Sequence, residues 1–90
     1  MASASQSDPQ GTLELGRRII GRFVRVRRPA TLEEVQAIVK ELEGYPKAQR
    51  TNALIHQVVR KHVDHTADVL IEADNSDVND LIDRLIDKFK

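Results

Sequence analysis

The sequence predicts an all-α domain, a compact bundle of four to five short amphipathic helices, and three observations lead there. Apolar residues recur every three or four positions in successive segments, the period of one helix face. Glycine, proline and capping residues interrupt those segments at short intervals, so the helices are brief and their connections short. The apolar residues are almost all aliphatic: Phe23, Tyr45 and Phe89 are the aromatics, and tryptophan is absent. A chain of 90 residues makes one domain, burying about 60–65% of the surface its unfolded state exposes.

Residues 1–11, MASASQSDPQG, are small and polar. They carry too little apolar surface to offset the entropy of ordering and read as a disordered tail, with 12–90 as the single helical domain. Segment 12–29 carries two periods at once. Leu15, Ile19, Ile20, Phe23 and Val24 form one helical stripe, whereas Val24 and Val26 alternate with Arg25 and Arg27 at the strand period of two. Gly16 and Gly21 each cost a helix about 1 kcal/mol relative to alanine. The length of the stripe predicts a helix over 13–27, ended before Pro29 because a residue preceding proline is pushed out of helical geometry.

The helix over 32–43 is the best marked. Thr31 and Glu34 form a capping box, Leu32, Val35, Ile38, Val39 and Leu42 share a face, and Gly44 supplies a left-handed stop before Pro46. A helix over 48–63 follows, with Leu54, Ile55, Val58, Val59 and Val63 in its stripe and Arg50, Gln57, Arg60 and Lys61 outside it. The short link through Tyr45 and Pro46 makes it an antiparallel neighbour of the helix before. In 66–74, TADVLIEAD, the apolar run is too short for its period to decide. A short helix capped by Thr66 is expected, because an isolated two-stranded pair is marginal. The alternative is an α+β domain in which 22–27 pairs with 68–72. The chain closes with a helix capped by Ser76, with Asp77 and Asp80 at its positive end and Val78, Leu81, Ile82, Leu85, Ile86 and Phe89 as its buried stripe.

Charge is the main functional signal. Lysines plus arginines equal aspartates plus glutamates at 14 each, yet the signs are segregated along the chain. Arg17, Arg18, Arg22, Arg25, Arg27 and Arg28 fall within twelve residues, and from Asp68 onward seven carboxylates face three cations. Complementary patches of this kind orient protein association. The expected function is therefore a protein-interaction or assembly module, adaptor-like. Its basic face is Arg17, Arg18, Arg22, Arg25, Arg27 and Arg28; its acidic face is Asp77, Asp80, Asp83 and Asp87. The partner is another protein or a further copy docked head to tail, which would build rings or filaments.

The alternative is a nucleic-acid-binding regulator that uses the arginine segment with Arg50, Arg60 and Lys61. In that case 32–43 and 48–63 form a helix–turn–helix, with Arg50, Asn52, His56 and Gln57 reaching base edges. Zero net charge and an acidic final helix weigh against it, as does the lack of an aromatic stacking platform for single strands. A third reading is a solvated helix face with pairs inside the molecule, such as Glu14 with Arg17 or Arg18.

Other classes find little support. The chain has no cysteine, hence no disulfide or thiolate site, and the composition fits a reducing, cytoplasmic setting. No apolar run reaches the length of a signal peptide or a bilayer span. His62 and His65 have ligand-like spacing on a helix but lack a third ligand. Counting from Asp74, a calcium loop would need an oxygen ligand at Val78, a glycine at Asn79 and a glutamate at Leu85. No nucleophile elbow, phosphate loop or dinucleotide fingerprint is present. An enzyme, a metal and a cofactor are not expected.

Overall fold

The computed structural model describes residues 9–69 and 76–89. Its elements are α1 (Pro9–Gly21), β1 (Val24–Val26), α2 (Leu32–Glu43), α3 (Asn52–His62), β2 (His65–Asp68) and α4 (Ser76–Lys88). A single 3-10 turn, Lys47–Gln49, lies between α2 and α3. The domain is mostly helical with a small antiparallel sheet, which is the α+β alternative rather than the all-α bundle.

α1 begins at Pro9, so residues 9–11 of the expected tail are helical. Proline suits a first helical position, where its fixed φ is already correct and no N–H is needed. The expectation of disorder for residues 1–8 lies outside the described residues.

The helix expected over 13–27 stops at Gly21. Arg22 N–H donates to the Ile19 carbonyl and Phe23 N–H to that of Ile20, at 3.0 and 2.9 Å, so the last turn tightens and the chain leaves extended. β1 then pairs antiparallel with β2, Val24 against Asp68, Arg25 against Ala67 and Val26 against His65, with an irregularity after Arg25. Further bonds run from Arg27 N–H to the Asp64 carbonyl (3.0 Å) and from Val69 N–H to that of Phe23 (2.9 Å). The ribbon therefore joins 23–27 to 64–69, a few residues earlier than the 68–72 of the alternative. A strand also replaces the start of the helix expected over 66–74; residues 70–74 lie outside the described residues. The period of two prevailed because the ribbon is not isolated. Phe23, Val24 and Val63 are buried in the common core, which supplies what a lone pair of strands lacks.

α2 carries its capping box: Glu34 N–H donates to Thr31 Oγ1 (3.2 Å) and Thr31 N–H to Glu34 Oε1 (2.9 Å). Gly44, expected to be left-handed, has φ −73°. The helix ends instead through 3-10 bonds from Gly44 N–H to the Glu41 carbonyl and Tyr45 N–H to that of Leu42, so a positive φ is not required. α3 starts at Asn52 rather than 48 because the 3-10 turn occupies 47–49 and Thr51 is the cap, its Oγ1 accepting from Leu54 N–H at 3.2 Å.

Arg22 at the end of α1 bonds Asp77 at the start of α4 (2.9 Å), while the N-terminal half of α1 lies beside the C-terminal half of α4. The two helices are thus antiparallel neighbours. α1 crosses α2 at a glycine: a Cβ on Gly16 would lie 2.6 and 2.7 Å from the Val35 methyls. At Gly21 a Cβ would meet nothing within 4 Å.

Those two glycines should respond oppositely to alanine. Gly16→Ala is expected to destabilise by about 1–2 kcal/mol, overpacking outweighing the propensity gain. Gly21→Ala should stabilise by a few tenths to about 1 kcal/mol. Thermal melts of the two variants check this; equal shifts of one sign would refute the close α1–α2 crossing.

Candidate functional site

The fold brings the two charged segments together instead of setting them at opposite ends. Arg22 pairs with Asp77, one predicted face closing on the other. Arg28 makes two bonds to Glu34 at 3.3 and 3.0 Å, Arg27 pairs with Asp64 at 3.3 Å, and Arg17 Nε donates to the Ala30 carbonyl at 2.9 Å. On the acidic side, Lys47 reaches Asp80 and Asp83 at 3.2 and 3.0 Å, and Arg50 reaches Asp83 at 2.8 Å. Apart from the part-buried Arg50–Asp83 pair, these ion pairs are exposed and contribute little to stability because solvent screens them. They do offset part of the charge that either face would present, since Arg22, Arg27 and Arg28 on one face and Asp77, Asp80 and Asp83 on the other have partners of opposite sign.

Arg17, Arg18, Arg25 and Asp87 are the predicted face residues with no ion pair among the described residues, and all four are exposed; of these, Arg17 is engaged by the Ala30 carbonyl. Arg25 stands apart on β1. Arg18 and Asp87 meet in a cleft of about 500 Å³ between α1 and α4, lined by Gly11, Glu14, Leu15 and Arg18 from one helix and Arg84, Asp87 and Lys88 from the other. Residues 14, 15 and 18 share a face of α1, as 84, 87 and 88 share a face of α4. Leu15 is half-buried between them, and no ion pair among the described residues bridges the cleft. Sequence reasoning missed Glu14, Arg84 and Lys88 as members of this group. Arg84 lies in a segment characterised by its acidic excess; the 84/87/88 spacing is the signal that locates it.

The predicted base-reading set is not assembled. Arg50 is 7% exposed. Its guanidinium donates to the Leu42 carbonyl (3.3 Å) and to Asp83 (2.8 Å), and its own carbonyl accepts from Asn79 Nδ2 (3.0 Å). Asn52 is half-buried and only Gln57 is fully exposed. His56 contacts Asp68 (3.1 Å) and the Phe23 ring (6.0 Å between centroids), Arg60 approaches Asp68 (3.5 Å), and Lys61 pairs with Glu41 (2.9 Å). The cations of α3 are therefore accompanied by carboxylates. His62 ends α3 and bonds Glu41 at 2.8 Å, whereas His65 belongs to β2, so the two do not share a helix face. Among the described residues no three acidic, histidine or cysteine side chains are grouped to hold a metal, and no helix is long and apolar enough to cross a membrane.

Three carboxyls are held below their ordinary range. Hydrogen bonds from His62 and Lys61 lower Glu41, against a smaller effect of burial. A hydrogen bond from Lys47 leads at Asp83, opposed by burial and reinforced by Arg50. At Glu34 burial raises the value, but the Thr31 N–H and Arg28 together outweigh it.

In comparisons with family models, curated proteins and solved structures, none matches this chain.

Two outcomes follow from these contacts. Arg50→Ala should cost about 2–3 kcal/mol in chemical denaturation, since it removes charge-assisted hydrogen bonds from a buried position. A change within about 0.5 kcal/mol, as at an ordinary surface residue, would refute the buried role. A lowered carboxyl pKa contributes stability that is complete above the unfolded value and lost as pH falls through the folded one. Unfolding free energy should therefore be level above about pH 5 and decline as pH drops below the ordinary 4.5 of glutamate and 3.8 of aspartate. Glu41→Gln should flatten that decline in a pH series of melts.

Proposed function

We propose that this chain is a cytoplasmic protein-interaction module, adaptor-like, which docks through the α1–α4 cleft. One observation carries the reading. The exposed charges of α1 and α4 away from the cleft are largely paired within the molecule, whereas Glu14, Arg18, Arg84, Asp87 and Lys88 surround Leu15 with no ion pair among the described residues. An apolar side chain ringed by both signs of charge suits a protein surface. The apolar contact supplies burial, and the ring selects register by rejecting like charges. A phosphate backbone would meet Glu14 and Asp87 there and be repelled. Of the two charged faces, Arg18 and Asp87 are the members assigned to docking; the remainder serve chiefly as internal partners, with Arg25 outlying. The lack of cysteine accords with a reducing compartment.

Photo-crosslinking in cells tests the reading, with the reactive residue placed at Lys88 in the cleft or at Gln57 on α3. Discrete protein adducts from position 88, resistant to nuclease and lost in Arg18→Glu, are expected. Adducts that form from position 57 instead, and disappear on nuclease treatment, would overturn it in favour of nucleic acid.

A further inference from the structure

We propose, resting on the docking role of the cleft, that its occupant is a second copy of this chain, related by a two-fold axis. A two-fold contact sets one patch against itself, so the patch must be self-complementary. A patch of one sign would repel its copy. This one carries both signs on each helix: Glu14 and Arg18 one turn apart on α1, and Arg84, Asp87 and Lys88 within one turn of each other on α4. Rotation about an axis through the cleft offers the cations of one copy to the carboxylates of the other, and every such pair then occurs twice. Leu15 lies at the centre of the contact, where docking would complete its burial.

The charged regions of α3 and β1 lack this property. On α3 the carboxylates Asp68 and Glu41 already accompany Arg60 and Lys61. Around β1, Arg27 and Arg28 are matched by Asp64 and Glu34, leaving Arg25 as a single sign. Exposed Glu33, Lys40 and Glu43 on α2 are likewise without an ion pair among the described residues; the α1–α4 cleft differs in gathering such charges from two helices around one half-buried apolar side chain. This arrangement differs from head-to-tail docking of a basic end on an acidic end. It closes at two copies and builds no filament.

The test uses the full chain in sedimentation equilibrium from micromolar to millimolar concentration, at low and at physiological salt. The wild type should pass from 10.2 kDa toward twice that mass, more readily at low salt. Two charge-swapped forms follow: Arg18→Glu with Arg84→Glu, which makes the patch acidic, and Glu14→Lys with Asp87→Lys, which makes it basic. Each alone should dimerise at least tenfold more weakly, and an equimolar mixture should recover the dimer. Melts close to wild type establish that both forms are folded, as expected for exposed helical positions. Four results would overturn the proposal: a wild type that stays at 10.2 kDa to millimolar concentration, swapped forms that dimerise as well as wild type, a mixture that does not recover, or association that appears only after residues 1–8 are removed. The last would assign the cleft to the chain's own N-terminus. A monomeric wild type whose position-88 crosslinks still capture a different protein overturns the second copy and leaves the docking role standing. A monomer without such crosslinks overturns both.

Discussion

The guanidinium of Arg50 is where the separate parts of this fold are tied together. Removing a charge from water is costly, and a cation this buried persists only where the surrounding groups receive it. Here the guanidinium is received by the Leu42 carbonyl at the end of α2 and the Asp83 carboxylate on α4, while the backbone carbonyl of the same residue accepts from Asn79 Nδ2, one turn earlier on α4. The turn between α2 and α3 is thereby fastened to the middle of the last helix. Asn79 and Asp83 are four residues apart on one face, so two bonds to a single residue fix the rotation of α4 about its axis as well as its position. Val78, Ile82, Leu85 and Ile86 then face the core, and Arg84, Asp87 and Lys88 are left beside α1. The candidate docking cleft is a consequence of how Arg50 holds α4.

The second constraint is the approach of α1 to α2. Val35 has no exposed surface and fills the space a side chain would need at Gly16. The helix accepts the propensity cost of a mid-helix glycine because only glycine permits that separation. The β ribbon depends on the same packing. Three or four residues per strand would not persist in water alone, but Phe23 and Val24 anchor one strand in the core, and Thr66 donates its hydroxyl to the Arg25 carbonyl at the irregular point in the register.

How much of this was legible in the sequence depends on how far each signal reaches along the chain. The α2 capping box and the stripes of α2, α3 and α4 are local, and they were readable. The ribbon is legible only as an alternative, the pairing of 22–27 with 68–72, and its register is not, because Val24 finds its partner at Asp68 across two intervening helices, and residues 24–26 alone carry both a helical and a strand period. The burial of Arg50 is hidden from the sequence for a related reason. A single arginine outside an apolar stripe looks solvent-facing, and nothing nearby in sequence announces Asp83 or the Leu42 carbonyl. The arginine cluster was read as one surface, yet its members belong to a helix, a strand and a loop, and point to different neighbours. Of the cleft, Arg18 and Asp87 could be picked out as charged; that they stand together required the antiparallel packing of α1 on α4.

The internal closure of charge also decides how association through the cleft would operate. Long-range steering requires a net field, and fields of one sign raise encounter rates well above those of neutral proteins. A molecule with no net charge, in which Arg22, Arg27, Arg28, Arg50 and Arg60 meet carboxylates of the same chain, projects little field beyond a Debye length of about 10 Å. Encounter is then diffusive, near the ordinary 10⁵–10⁷ M⁻¹s⁻¹ for proteins, and discrimination falls to contact distance. There a like-charge juxtaposition is rejected and a matched one retained, so specificity resides in the dissociation rate. The segregation of charge along the chain, which suggests a molecule with a basic and an acidic end, is folded back on itself, since α1 packs beside α4 and Arg22 meets Asp77. Under the proposed docking role, recognition would be left to the few charges that this pairing does not consume.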